Sequence, residues 1–265
     1  ATILIGGQTF TLTQSAGGPY VTRDGVVNGA SFLGGPVAPG EIISIFGQGL
    51  GPKQAVTFQL TPDGRKISSS LAGTRVLFDG APAPIIATSD GQVSAIVPYE
   101  VAGKTQTNLQ VEYNGELSQT IPLNVAATAP AVFTQNMSGK GLAAIINWDP
   151  DPAKWTVNSP ASRAARGSYV MIFATGEGQT NPPGETGLLV KGSPDQLPRP
   201  RNPVAVQIGG RAATVTYAGA APGMVSGLLQ INVQVPANAP TGDAVPVVVR
   251  IGNNNSQDEV VMAIR

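Results

Sequence analysis

Cysteine and histidine are both missing from the 265-residue sequence. Their absence excludes disulfides, thiolate nucleophiles, imidazole bases and the common Zn, Cu and haem ligand sets. Charge is also scarce. Asp, Glu, Lys and Arg make up 12% of the chain, about half the roughly 25% of ordinary soluble domains. Sixteen basic residues balance sixteen acidic ones, so no net field draws nucleic acid or an anionic membrane to the protein. The surface must then be built from Ser, Thr, Asn, Gln and backbone, and a weakly charged surface of this kind tolerates self-association. No apolar run approaches the roughly 18 residues of a membrane-spanning helix, and membrane insertion is not expected. Lack of cysteine does not imply the cytosol, because a sandwich of this size is stable without cross-links. The start at Ala1 rather than Met suits a trimmed, mature N-terminus.

Turn residues, by contrast, are abundant. Thirty-three Gly and twenty-three Pro without a collagen-like period point to many short strands joined by tight turns. No stretch of ten residues carries a helical period. The length suits two domains of roughly 100 to 130 residues each.

The chain also repeats itself. APGEIISIFGQGLGP (Ala38 to Pro52) is answered by ARGSYVMIFATGEGQTNPP (Ala165 to Pro183), each placing alternate apolar residues (Ile43 and Ile45, Val170 and Ile172) on one face of a strand that runs into a Gly-rich turn. VLFDGAPAPI matches VQIGGRAATV, an apolar hairpin in each half. SAIVPYEV then matches QINVQVPANA, and LQVEYNGELSQTIPLNV matches VVVRIGNNNSQDEVVMAI. From Val97-Pro98 and Val235-Pro236 onward the two copies keep one offset. These observations predict an all-β chain of two tandem immunoglobulin-like β-sandwich domains with an N-terminal hairpin or strand extension. The expected bounds are 1–25 for the extension and linker, 26–128 for the first domain and 129–265 for the second. The short seam between them restricts the angle at which the domains sit. The predicted core or interdomain packing comes from Ile43, Ile45, Phe46, Val76, Phe78, Val97, Val111, Ile172, Phe173, Val206, Ile231, Val233 and Val249. Of Ile45 and Phe46, and of Ile172 and Phe173, one must point away from its own core, since neighbours on a strand face opposite ways.

Several long segments resemble a known family. VNGASF, APGEIISIFGQGLGP, AIVPYEV, NSPASRAARGSYVMIFATGEGQTNPPGETG and YAGAAPGMVSGLLQINVQVP are similar to the Solibacter-type uncharacterised C-terminal domain of large secreted acidobacterial proteins. The likeness runs from about Val26 to Arg265. It implies export, an Ig-like or IPT-like fold and a place at the end of surface proteins, and it implies no catalytic residue. ILIGGQTFTLTQ, near the N-terminus, resembles the closing strands of the BACON domain.

Chemistry-bearing patterns are few. GQGLGP looks like a dinucleotide loop, but Pro52 follows at once and no helix offers its N-terminus to a phosphate. GEGQTNPPGETG lacks the Lys-Ser/Thr of a P-loop and reads as a long connection. A serine nucleophile would need Lys or a carboxylate as base, and Lys140, Lys154 and Lys191 stand in no S-x-x-K frame. Asp149, Glu177, Glu185 and Asp195 are expected as ordinary solvated loop charge rather than a glycosidase pair. NWDPDPAKWTVNSP gathers two Trp and two Asp; Trp148 and Trp155 are the candidate ligand or contact residues, for an extracellular glycan or for pinning the loop, while the prolines spoil a Ca²⁺ loop. Near the N-terminus, Ile3, Leu4, Ile5, Phe10 and Leu12 form a candidate self-assembly strand pair around Gly6-Gly7, marginal alone, and read either as the tail of a preceding sandwich or as a segment suited to β-augmentation of a neighbour. The expected function is a non-catalytic structural or adhesive protein, extracellular or on the cell surface and without cofactor, that self-associates as a filament or array. The alternative is a carbohydrate-binding or stalk module.

Overall fold

The computed structural model describes residues 2–5, 8–11 and 17–265. Among them there is no α-helix, only strands and two short 3₁₀ turns, Tyr99–Val101 and Pro152–Lys154. Two apolar cores lie one after the other along the chain, the first built from residues between Val21 and Val125, the second from residues between Val132 and Ile264.

The first core sits between two five-stranded sheets. In one sheet Tyr20–Asn28, Ile42–Gln48, Gln92–Ile96, Ile85–Thr88 and Val56–Thr57 run side by side; the other is built on Thr74–Phe78 and Gln106–Tyr113. Strict alternation decides which residues enter. Ile43 and Ile45, opposite Ala95 and Val93, are fully buried, whereas Phe46 is 37% exposed. Burying each such isoleucine stabilises the fold by roughly 1.5–3 kcal/mol. The strand that opens this sheet begins at Tyr20, inside the stretch expected as linker: Val21 pairs with Gly47 and belongs to the core, and an irregularity between Val21 and Val26 restores register.

The second core is wrapped by a single eleven-stranded sheet that folds over on itself. The crossing is made by the ten-residue strand Arg211–Ala220. Its first residues pair with Val204–Ile208 and the rest with Leu229–Gln234, across a bulge between Val215 and Tyr217. Ile172 is buried and Phe173 half-buried, the same division as in the first copy.

Equivalent hydrogen bonds recur in both copies. Val97 N–H donates to Glu41 O and Val235 N–H to Ser168 O, both at 2.8 Å. Val111 N–H reaches Ser118 Oγ at 2.9 Å, and Val249 N–H reaches Ser256 Oγ at 3.0 Å. Each copy also has a parallel bridge near its end, Val37 with Val125 and Ala164 with Ile264. The predicted hairpins are present as Thr74–Phe78 with Ala81–Ala83 and as Val204–Ile208 with Arg211–Ala220.

At the N-terminus Thr2–Ile5 and Gln8–Thr11 pair antiparallel, with Ile3 opposite Phe10 and Ile5 opposite Gln8. Among the described residues they form a two-stranded sheet that no further strand joins. Leu12 and the expected Gly6-Gly7 turn lie outside the described residues.

Candidate functional site

The strand Ile145–Asn147 ends at Trp148, whose backbone N–H donates to Tyr169 O at 3.0 Å. This bond brings the two rings together at the sheet's outer surface. Their centroids are 6.0 Å apart and their planes meet at 82°, the edge-to-face arrangement that aromatic quadrupoles favour. Trp148 is 40% and Tyr169 39% exposed. Between them and the next strands runs a groove of about 420 Å³, lined also by Met171, Thr216 and Asn232. The register explains this composition. Tyr169, Met171 and Phe173 stand opposite Gln234, Asn232 and Gln230, so an aromatic and thioether row lies beside a row of amides on one face.

The amides are partly committed. Gln234 Nε2 donates to Gly167 O at 2.9 Å, and Gln230 Nε2 to Asn232 Oδ1 at 2.9 Å. Thr216 Oγ1 donates to Asn232 O at 3.1 Å.

Trp155, expected to share a site with Trp148, lies off this groove. Its Nε1–H donates to Asp149 O at 2.9 Å, just after the 3₁₀ turn that Asp151 caps by accepting from Ala153 N–H. Both tryptophans are 40% exposed. Tyr169 is the residue sequence reasoning missed. Its signal is in the alternation: burying Val170 and Ile172 in the core puts Tyr169, Met171 and Phe173 on the strand's other face, where Met171 is itself covered.

A second polar cluster joins the two sandwiches, and it corrects the expectation for Glu177. This side chain is only 2% exposed rather than solvated. Its Oε1 accepts from Tyr99 Oη at 3.1 Å, and Oε2 has no hydrogen-bond partner. Burial pushes its carboxyl from 4.5 up to about 7, against the lowering effect of its own backbone amide and Tyr99. Burial likewise drives Glu41 from 4.5 to about 8, opposed by hydrogen bonds from Ala38 and Asn28, with Glu177 adding a further upward push. Glu41 Oε2 accepts from Ala38 N–H at 2.7 Å. Burial, together with the charge and hydrogen bond of Glu177, holds the Tyr99 phenol well above its usual range.

Around these groups, Tyr99 N–H donates to Thr186 Oγ1 at 3.0 Å, and that hydroxyl donates to Glu100 Oε2 at 2.8 Å. Ile42 N–H donates to Thr175 Oγ1 at 2.9 Å, and Asn28 Nδ2 to Ala129 O at 3.1 Å. The GEGQTNPPGETG connection therefore packs on the first sandwich. Of the other carboxylates, Glu185 pairs with Lys66 at 2.7 Å, Asp149 accepts from Asp151 N–H at 2.9 Å, and Asp195 is exposed.

A cleft of about 540 Å³ follows the same seam, lined among others by Asn28, Glu41, Thr128, Asn254 and Gln257. Two of its amides are engaged deep in the seam, with Asn254 Nδ2 donating to Thr128 O and Gln257 Nε2 to Val132 O, both at 2.7 Å. Among the described residues no group of three or more Asp or Glu converges as metal ligands would.

Residues 26–128, which make up most of the first sandwich, match the IPT/TIG domain family. No curated protein matches the chain. Two solved structures to which it is similar are SGBP-B from a complex xyloglucan utilization locus in Bacteroides uniformis and the plexin A4 full extracellular region. The first is 15% identical with a TM-score of 0.27 over 92% of this chain and 49% of that one. The second is 10% identical with a TM-score of 0.30 over 93% of this chain and 18% of that one. The chain thus spans about half the length of the former and under a fifth of the latter.

Proposed function

We propose that the chain is a non-catalytic, extracellular structural or adhesive protein of the kind to which its Solibacter-type segments point. Two sandwiches joined end to end carry a load or present a surface, and strand addition by the N-terminal hairpin links one copy to the next. The observation behind this reading is the hairpin Thr2–Ile5 with Gln8–Thr11, which no further strand joins among the described residues. A two-stranded sheet is marginal in water, and its open edges invite another ladder. The junction of Tyr99, Glu177, Glu41 and Thr175 supports the scaffold part of the reading, since its buried side chains bond to one another and to backbone across the two sandwiches.

Deleting residues 1–15 and comparing assembly by light scattering and electron microscopy tests the proposal. Polymers of the full chain that give way to folded monomers are expected. Undiminished polymers, or a full chain that stays monomeric at high concentration, overturn the strand-addition step. A glycan-binding reading is favoured by a separate observation, the exposed pair Trp148 and Tyr169.

A further inference from the structure

We infer that the groove bounded by Trp148, Tyr169, Met171, Thr216 and Asn232 binds an uncharged oligosaccharide, with pyranose rings laid against the Trp148 and Tyr169 rings. A sugar ring offers a C–H face to an aromatic surface and a rim of hydroxyls to nearby donors and acceptors. Both requirements meet here.

Large aromatics are normally buried, and a buried indole or phenol finds a hydrogen-bond partner. Trp148 and Tyr169 are each about two-fifths exposed. Among the described residues, neither Trp148 Nε1 nor Tyr169 Oη has a hydrogen-bond partner, in contrast to Trp155 Nε1, which is spent on Asp149 O at 2.9 Å. Asn232 Oδ1 is held by Gln230 at 2.9 Å, which leaves its Nδ2 as the donor on the groove wall. The ledge therefore combines ring surface with donors of three kinds: indole, phenol and amide.

The lining includes no Asp, Glu, Lys or Arg. Phosphate and carboxylate ligands would look for a cation, and an ammonium ligand for a carboxylate or a cage of ring faces, whereas here two rings meet edge to face; a neutral ligand needs none of these. A folded protein partner is a poorer fit, because stable interfaces cover about 800 Å² per partner with a contiguous apolar centre. Here the two rings are flanked at once by Thr216 and Asn232. The volume of about 420 Å³ falls within the roughly 300–1,000 Å³ of small-ligand sites.

The repeat supplies an internal control. The counterparts of Tyr169, Met171 and Asn232 in the first sandwich are Ile42, Ser44 and Ser94, which occupy the same register on the strands Ile42–Gln48 and Gln92–Ile96. Those three positions carry neither ring nor amide; the ring and amide further along that face, Phe46 and Gln92, are turned to Phe32 and to Ser44 Oγ, so the site is assigned to the second sandwich.

The test uses the full chain. The chain has two tryptophans, and W155F leaves Trp148 as the sole indole reporter. Affinity electrophoresis through gels containing mixed-linkage β-glucan, xylan, galactomannan or polygalacturonate is paired with fluorescence titration of W155F by the matching oligosaccharides. Retardation by at least one neutral polysaccharide is expected, with a blue shift of Trp148 emission. Truncating a central aromatic anchor weakens binding by about tenfold or more, so W148A and Y169A should each do so while W155A does not. N232A, which removes one donor and little packing, should weaken binding several-fold; it carries the test if W148A fails to fold by circular dichroism. Binding of no neutral polysaccharide overturns the assignment. So does retardation by polygalacturonate alone, or neutral binding that Y169A and N232A leave intact. These results are independent of whether the chain polymerises, so strand addition and glycan binding fail or stand separately.

Discussion

The two sandwiches are copies of one pattern, and the positions at which they part company are those that face something other than their own core. Leu50 in the first copy corresponds to Glu177 in the second; one is an apolar core residue and the other a buried acid. Tyr99 after Val97-Pro98 corresponds to Ala237 after Val235-Pro236. Tyr99 is buried against the second sandwich, whereas Ala237 is exposed. Glu41 corresponds to Ser168, whose hydroxyl simply closes its own turn on Ala165 O at 2.7 Å. Where a copy meets its neighbour it carries a polar interlocking group, and where it meets solvent it does not. Sheet topology diverges for a different reason. Pro84 stands where the second copy has Thr214. The Thr214 strand continues unbroken and pairs with Gln234, whereas the first copy breaks at Pro84 into Ala81–Ala83 and Ile85–Thr88 in separate sheets. Proline has no N–H to give a ladder.

The largest effect expected from breaking this asymmetry is at Tyr99. Tyr99→Ala empties a buried aromatic site and deprives Glu177 of its one side-chain hydrogen-bond partner. Truncations of this kind cost about 3–5 kcal/mol. Ala237→Gly, at the matching position, should change stability by well under that, about 0.5 kcal/mol or less. Urea unfolding followed by tryptophan fluorescence reports on the second sandwich, which holds both Trp residues. A Tyr99→Ala cost no larger than that of Ala237→Gly would show that the junction contributes nothing to it.

A smaller difference is expected between the paired glycines Gly40 and Gly167. Both have left-handed φ, +76° and +79°, so alanine at either pays a common strain of roughly 1–2 kcal/mol. Only Gly40 has a neighbour: a Cβ there would lie 2.5 Å from the Tyr99 ring, whereas one on Gly167 meets nothing within 4 Å. Gly40→Ala should therefore exceed Gly167→Ala by about 1–3 kcal/mol. In a Tyr99→Ala background the excess should vanish; if it persists, the ring is not its cause.

How much of this was legible in the sequence follows from the range of each signal. Alternation is local, so the division between Ile45 and Phe46 and between Ile172 and Phe173 could be read directly, as could the hairpins around Asp79-Gly80 and Gly209-Gly210. The repeat gave two copies of one fold. What could not be read was which end of one copy abuts the other, and Glu177 was misjudged for that reason: a Glu among Gly, Thr and Pro reads as solvated unless Tyr99, seventy-eight positions away, is known to lie over it. The loop likewise names Trp148 and Trp155 together without showing what each one touches. Proximity along the loop says nothing of the ladder, which places Trp148 beside Tyr169. Tyr20 reads as linker because the Gly-rich stretch before it hides the irregularity that lets Val21 and Val26 share a core.

The sharpest test of the junction's chemistry is its dependence on pH. Glu41 and Glu177 titrate at 4.5 when unfolded and at about 8 and about 7 when folded, chiefly because burial disfavours their charged forms. The folded chain thus holds more protons than the unfolded chain between pH 4.5 and about 8. Stability is fully present below 4.5 and falls as pH rises through that window, by at most about 1.4 kcal/mol per pH unit for each group. Carboxylates with the opposite shift, such as Asp79 at about 2 through its bond to Lys104, lose their contribution only below about pH 4 and do not offset this. Tyr99, pushed above its usual range, stays neutral throughout. Glu177→Gln removes one titration while keeping an acceptor for the Tyr99 hydroxyl. It should leave stability at pH 5 within about 1 kcal/mol of the parent and raise it by about 1–3 kcal/mol at pH 8.5. Glu41→Gln should flatten the remaining slope. Urea midpoints of the parent and both variants at pH 5, 6.5 and 8.5 decide the matter. Parallel profiles for all three would mean that these carboxyls are hydrated in solution and that the two sandwiches are not closed upon each other there.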